Sequence, residues 1–111
     1  MAVNDLVLAF TGASGVPYGT RLLEVLLRAG RTVHLVISPS AVQVIEREVD
    51  RRVRPERFVL ADLLGDRAAG FDPEQVRHHH YMDFQAGIAS GSFLTGGMIV
   101  CPCSMGTTAA I

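Results

Sequence analysis

Lysine and tryptophan are absent from this chain of 111 residues, and cysteine occurs only twice. No apolar run approaches the roughly 20 residues that cross a bilayer as a helix. Each absence closes a class. With no lysine, arginine carries all the side-chain positive charge apart from histidine, ten residues against eleven carboxylates, for a net charge of −1. That balance leaves no basic surplus for nucleic acid or for an anionic membrane. Cys101 and Cys103 form a lone Cys-x-Cys, too few ligands for zinc and too close along a strand to pair readily. They read as two reduced, buried thiols of a cytosolic protein. Asn4 and Asp5 precede the first apolar run without a positively charged segment, so no secretory signal is expected and the location expected is cytoplasmic.

What is present is apolar: 49% of residues are hydrophobic and 19% charged, which excludes a disordered chain. The length fits a single domain spanning 1–111. Leu6 to Phe10 is a continuous apolar run ending at a glycine turn, the pattern of a strand buried on both faces. A helix follows, with Ser14 as a candidate cap and Pro17 in its first turn. Leu22, Leu23, Leu26 and Leu27 form its apolar face, Arg21, Glu24 and Arg28 its polar one, and Gly30 ends it. Thr32 to Ser38 is expected as a second strand and Ser40 to Val49 as a second helix. Residues 51–75 are irregular, with Arg51, Arg52, Arg54 and Arg57 on a solvated surface and a short helix over Phe58 to Leu64. Val76 to Tyr81 is expected as a third strand and Met98 to Cys101 as a fourth. The segment Met82 to Gly97 between them is a long functional loop. A last helix begins at Gly106. The alternation gives an α/β class: a Rossmann-like, doubly wound parallel sheet in three layers. Its abrupt close reads as truncation, the N-terminal portion of a longer domain.

In the strand order 3-2-1-4, strands 1 and 4 flank the switch point where ligands bind. The turn Gly12-Ala13-Ser14-Gly15 and the turn Pro102 to Thr107 then converge. Their backbone N–H groups, with the hydroxyls of Ser14, Ser38, Ser104 and Thr107, suit a phosphate and ring carbonyls. The glycine spacing, Gly12-x-x-Gly15-x-x-x-Gly19, departs from the dinucleotide pattern. Strand 2 ends in Ser38 rather than in an acidic residue, and both points favour a mononucleotide. A plain tight turn remains an alternative for the glycines alone. Glu48 continues the face of Ala41, Val44 and Ile45. A carboxylate there has its pKa raised by desolvation and can serve as acid or base, unless it is simply a helix-end residue reaching water. His78, His79 and His80 alternate sides of a strand and do not complete a metal site. No Ser-His-Asp arrangement is visible.

Three stretches, Thr11-Gly-Ala-Ser-Gly-Val-Pro-Tyr-Gly-Thr-Arg-Leu-Leu-Glu, Ala89-Ser-Gly-Ser and Met98-Ile-Val-Cys-Pro-Cys-Ser-Met-Gly-Thr, together resemble the UbiX-type flavin prenyltransferase family across essentially the whole chain. The resemblance implies binding of reduced FMN and dimethylallyl phosphate, and transfer of the dimethylallyl group to flavin N5 and C6. The product is prenylated FMN for a UbiD-type decarboxylase, including those of ubiquinone biosynthesis, and no metal is used. It implies FMN contacts from Gly12, Ala13, Ser14 and Ser38, and from Ser104, Met105, Gly106 and Thr107. Glu48, with Ser14, is implied in proton handling. Ser90, Gly91 and Ser92 are implied at the allylic phosphate, and Phe84 over the prenyl chain, where an aromatic face suits an allylic cation. Two features depart from the family. Its later flavin- and phosphate-binding residues fall beyond position 111, and Phe93 to Gly97 lacks the basic residue often found there.

Two rivals stand beside this reading: an FMN-dependent cysteine-conjugate decarboxylase, and a non-catalytic FMN carrier or chaperone. A positive mean hydropathy and a partly covered sheet lead to the expectation of a homo-oligomer, trimer or dodecamer as in the family.

Overall fold

Four short apolar runs become four parallel strands in the computed structural model, which describes residues 5–84 and 97–102. Strand β1 is Leu6–Phe10, β2 is Val33–Ile37, β3 is Val76–His79 and β4 is Gly97–Val100. Their order in the sheet is β3-β2-β1-β4, as the alternation of elements predicts. β1 sits centrally, with Leu8 in register with Leu35 on one side and Ile99 on the other. The molecule is a Rossmann-like α/β fold whose switch point lies between β1 and β4.

Helix α1 is Val16–Arg28, α2 is Pro39–Val49 and α3 is Leu60–Leu64. All three pack on one face of the sheet. The core they share contains Leu8, Phe10, Leu23, Leu27, Leu35, Ile37, Ala41, Ile45, Leu63 and Leu64. Fully burying each large side chain there is worth about 1.5–3 kcal/mol. On the opposite face Val7, Ala9 and Val36 pack against Phe84. Phe84 lies in a helical turn over 81–84, closed by its N–H to the His80 carbonyl.

Several boundaries differ from the sequence expectation. The third strand stops at His79 rather than Tyr81, because the chain enters the 81–84 turn. The short third helix begins at Leu60, and 3-10 turns at Gly65–Gly70 and Pro73–Gln75 follow it. Glu24, expected on the polar face of α1, is 2% exposed. Arg21, Arg28 and Arg67 surround its carboxylate at 3.6, 3.8 and 2.6 Å. The Gly65–Gly70 turn folds back over α1 and covers what the helix alone leaves open. The four arginines of 51–57 are exposed, as expected, with Val53 buried among them. No helix among the described residues is long and apolar enough to cross a membrane.

Candidate functional site

β1 ends at Phe10, and the chain turns through Thr11 to Gly15 before α1 begins. Gly15 adopts φ +109, a conformation that suits glycine, and forms the N-cap of α1. It has no side chain to cap the helix, and Ser14, expected as the cap, does not supply one either. The first N–H groups are instead satisfied from α2. Glu48 Oε1 accepts from the N–H of Gly15 at 2.9 Å and of Val16 at 2.8 Å. The Ser14 hydroxyl donates to Glu48 Oε2 at 2.5 Å.

This corrects the expectation for Glu48. It does not end an apolar face with its acidity weakened by burial; it is exposed, in the last turn of α2. The Ser14 hydrogen bond holds its pKa below the ordinary carboxylate value. The N–H groups of Val16 and Gly15 add to that effect, desolvation opposes it, and Arg47 contributes least. The positive end of the α1 dipole acts in the same sense. At neutral pH Glu48 is an ionised carboxylate with a hydroxyl attached.

Two further contacts assemble the neighbourhood. Thr11 Oγ1 donates to the Pro102 carbonyl at 2.6 Å, so the turns after β1 and β4 meet as the strand order predicts. A Cβ on Gly19 would fall 2.7 Å from the Cys101 carbonyl oxygen and 2.7 Å from the Phe10 ring, so only glycine lets α1 lie this close. A Cβ on Gly12 would meet Ser40 Oγ at 2.5 Å, which seats the first turn against the start of α2.

Ser38 is at the same end of the sheet. Its N–H donates to the Phe10 carbonyl at 3.0 Å. Its hydroxyl oxygen caps α2 by accepting from the Ala41 N–H at 3.2 Å and lies 3.2 Å from Ser40 Oγ. Ser14 is therefore brought to Glu48 at the end of α2, and Gly12 to Ser40, beside Ser38, at its start. Phe84 is 4% exposed and packs on the sheet face away from α1 and α2. Ser90, Gly91, Ser92, Ser104, Met105, Gly106, Thr107 and Cys103 lie outside the described residues, as does the expected helix from Gly106. Cys101 is a free, half-buried thiol.

Sequence reasoning placed Thr11 in the glycine turn without giving it a role, and missed Ser40, which carries no motif signal beyond adjacency to Ser38. It also missed His34. A histidine inside an otherwise apolar strand was a signal, since a buried ring nitrogen needs a partner. Two hollows of about 620 and 550 Å³ lie along the 59–75 excursion, lined by residues such as Leu60, Ala68 and Phe71, or Arg28, Arg67 and Gln75. Neither is lined by any residue of the two turns.

The protein-family model described as Flavoprotein matches residues 2–111. The chain is 40% identical over 102 residues to the flavin prenyltransferase UbiX of Alkalihalophilus pseudofirmus, covering 92% of this chain and 48% of that protein. It is 38% identical over 106 residues to UbiX of Pseudomonas aeruginosa, covering 96% and 50%. Among solved structures, AnUbiX in complex with FMN and dimethylallyl pyrophosphate aligns with TM-score 0.71 and 35% identity, over 98% of this chain and 50% of that one. A dodecameric FMN-dependent UbiX-like decarboxylase from Escherichia coli O157:H7 aligns with TM-score 0.68 and 40% identity, over 96% and 51%. The chain spans about half the length of these relatives.

Proposed function

The chain belongs to the flavoprotein family, and from that premise we propose that the protein is a flavin prenyltransferase acting on reduced FMN and dimethylallyl phosphate. The observation that carries the reading is the Ser14–Glu48 pair at the mouth of the β1 turn. It combines an exposed hydroxyl with a carboxylate kept ionised by three donors, at the switch point where this fold binds ligands.

The residues present fit FMN. The turn is open, with Gly12 and Ser14 exposed, and the hydroxyls of Ser14, Ser38 and Ser40 stand at one end of the sheet. Gly12, Ala13, Ser14 and Ser38 would hold the flavin, joined by Ser104, Met105, Gly106 and Thr107. Reduced flavin supplies the nucleophilic nitrogen and carbon that receive the dimethylallyl group. Ser14 orients at the ring edge, and Glu48, which its lowered pKa keeps in the ionised form and makes a weaker base, would take a proton through the Ser14 hydroxyl. The N–H groups of Gly15 and Val16 are engaged by Glu48, so they orient this carboxylate rather than a phosphate. Ser90, Gly91 and Ser92 would line the allylic phosphate and Phe84 the prenyl chain. The proposal extends to a homo-oligomer, to a UbiD-type decarboxylase as recipient of the product, and to a cytoplasmic setting where Cys101 stays reduced.

The test is incubation of the full-length protein with reduced FMN and dimethylallyl phosphate, followed by mass spectrometry of the extracted flavin. A mass increase of one dimethylallyl group supports transfer. Bound but unmodified FMN would overturn it in favour of a carrier.

A further inference from the structure

A side chain joins the turns after β1 and β4. Among the described residues, the last rung between these strands is the Cys101 N–H donating to the Ala9 carbonyl at 3.0 Å. The next residue, Pro102, has no N–H to offer, so the backbone pairing cannot run on through it. Phe10, at the end of β1, gives its carbonyl to the N–H of Ser38 on the β2 side. The Thr11 hydroxyl spans the remaining gap and donates to the Pro102 carbonyl at 2.6 Å, across 91 positions of sequence. Thr11 is half-buried and Pro102 is buried.

Three approaches hold the start of the second turn against the first. The Thr11 hydroxyl holds the Pro102 carbonyl. At the far end of the first turn, a Cβ on Gly15 would lie 3.7 Å from Pro102 Cβ, an ordinary contact distance. Bare Gly19 admits the Cys101 carbonyl behind them. The contacts at the glycines set how near the turns come. The Thr11 hydrogen bond is directional, so it also sets how the Pro102 peptide is turned. Threonine is β-branched and stiff at χ1, which aims the hydroxyl. Gly12 to Ser14, on one side of the flavin as proposed above, begin one residue after Thr11. Ser104 to Thr107, on the other side, begin two residues after Pro102.

We propose that Thr11 is a positioning residue for the flavin: by holding the Pro102 carbonyl, its hydroxyl sets the separation and tilt of the two turns that bind FMN. Thr11 acts through Pro102 and needs no contact with FMN of its own. This role rests on the flavin reading above but not on prenyl transfer, because binding alone reports it.

Titration of the full-length wild type, Thr11→Val and Thr11→Ser with FMN tests it. Thr11→Val keeps the shape and removes the donor, so the Pro102 carbonyl loses its partner. FMN affinity should fall about tenfold or more, and the visible circular dichroism of the bound flavin at saturation should differ from wild type. Thr11→Ser keeps the hydroxyl and should restore both. Wild-type affinity and spectrum in Thr11→Val overturn the role. So does a Thr11→Ser protein that behaves like Thr11→Val, which would assign the effect to the methyl group. A Thr11→Val protein that loses stability yet shows the wild-type flavin spectrum at saturation overturns it as well, because Thr11 would then be structural only. A measurement on the wild type covers a variant that does not fold. There the Thr11 hydroxyl proton should exchange slowly with water and couple to the Pro102 carbonyl carbon in NMR, and rapid exchange overturns the bridge. A wild type that binds no FMN overturns the flavin reading and this role together, whereas equal binding and spectra in wild type and Thr11→Val overturn the role alone.

Discussion

Ser14 and Glu48 stand 34 positions apart in the chain and 2.5 Å apart in the fold, the hydroxyl donating to the carboxylate. The pair ties the start of one helix to the end of the next. Replacing Glu48 by Gln keeps the shape but removes the charge. FMN binding should change by no more than a few-fold, whereas prenyl transfer should fall about 10²-fold or more, the usual worth of a positioned acid or base. Equilibrium binding of FMN and single-turnover formation of prenylated FMN measure the two separately. Normal turnover in Glu48→Gln would remove this residue from the chemistry.

The same contact has a pH signature. Glu48 has a folded pKa below its ordinary value of 4.5. Its stabilising contribution is therefore complete above about pH 4.5 and disappears as pH falls through the lower, folded value. Thermal unfolding of wild type and Glu48→Gln should show the difference in Tm shrinking as pH falls below that point. A constant difference would mean that the charge is not what holds the helices together.

Gly19→Ala would place a methyl group against the Cys101 carbonyl and the Phe10 ring, both at 2.7 Å. Neither backbone nor a buried ring yields cheaply, so stability should drop by about 1–3 kcal/mol. Urea denaturation would record it. Because α1 is displaced from both turns, FMN affinity should weaken as well.

Ser38→Ala removes the acceptor that caps α2. The expected cost is about 1 kcal/mol. Ser38→Asp restores a capping acceptor and with it the stability. If Ser38 also faces the flavin, the added negative charge will leave FMN binding impaired in Ser38→Asp despite the recovered fold. Recovery of both would make Ser38 a cap only.

His78 gives a second pH window. Its pKa is lowered, first by burial and then by His79 and His80. The unfolded chain binds that proton more readily, so stability should decline as pH drops below about 6.5. His78→Phe, which can keep the stack on Phe58, should flatten the decline in a series of unfolding midpoints.

The sheet was legible because buried parallel strands are written as unbroken apolar runs, and the order 3-2-1-4 follows from how such units connect. Leu6 to Phe10 needs no partner to be recognised. Glu48 shows what periodicity omits. The Ala41–Ile45 face correctly orients α2, but its pattern does not record that the last turn overhangs α1, where N–H donors wait. Glu24 failed for a related reason. Its place on the helix wheel is polar, and only the return of Gly65–Gly70 with Arg67 buries it. Asp5, His34 and His79 are distant in sequence and meet through strand register, which local patterns do not encode.

The enclosure of Glu24 has a mechanical consequence. The residues around Arg67 cannot lift away without giving up the shortest of three ion pairs to a carboxylate that Arg21 and Arg28 also surround. The excursion that carries them is thus clamped to the middle of a rod of 13 residues, about 20 Å long, whose other end holds Gly15 and Val16 against Glu48.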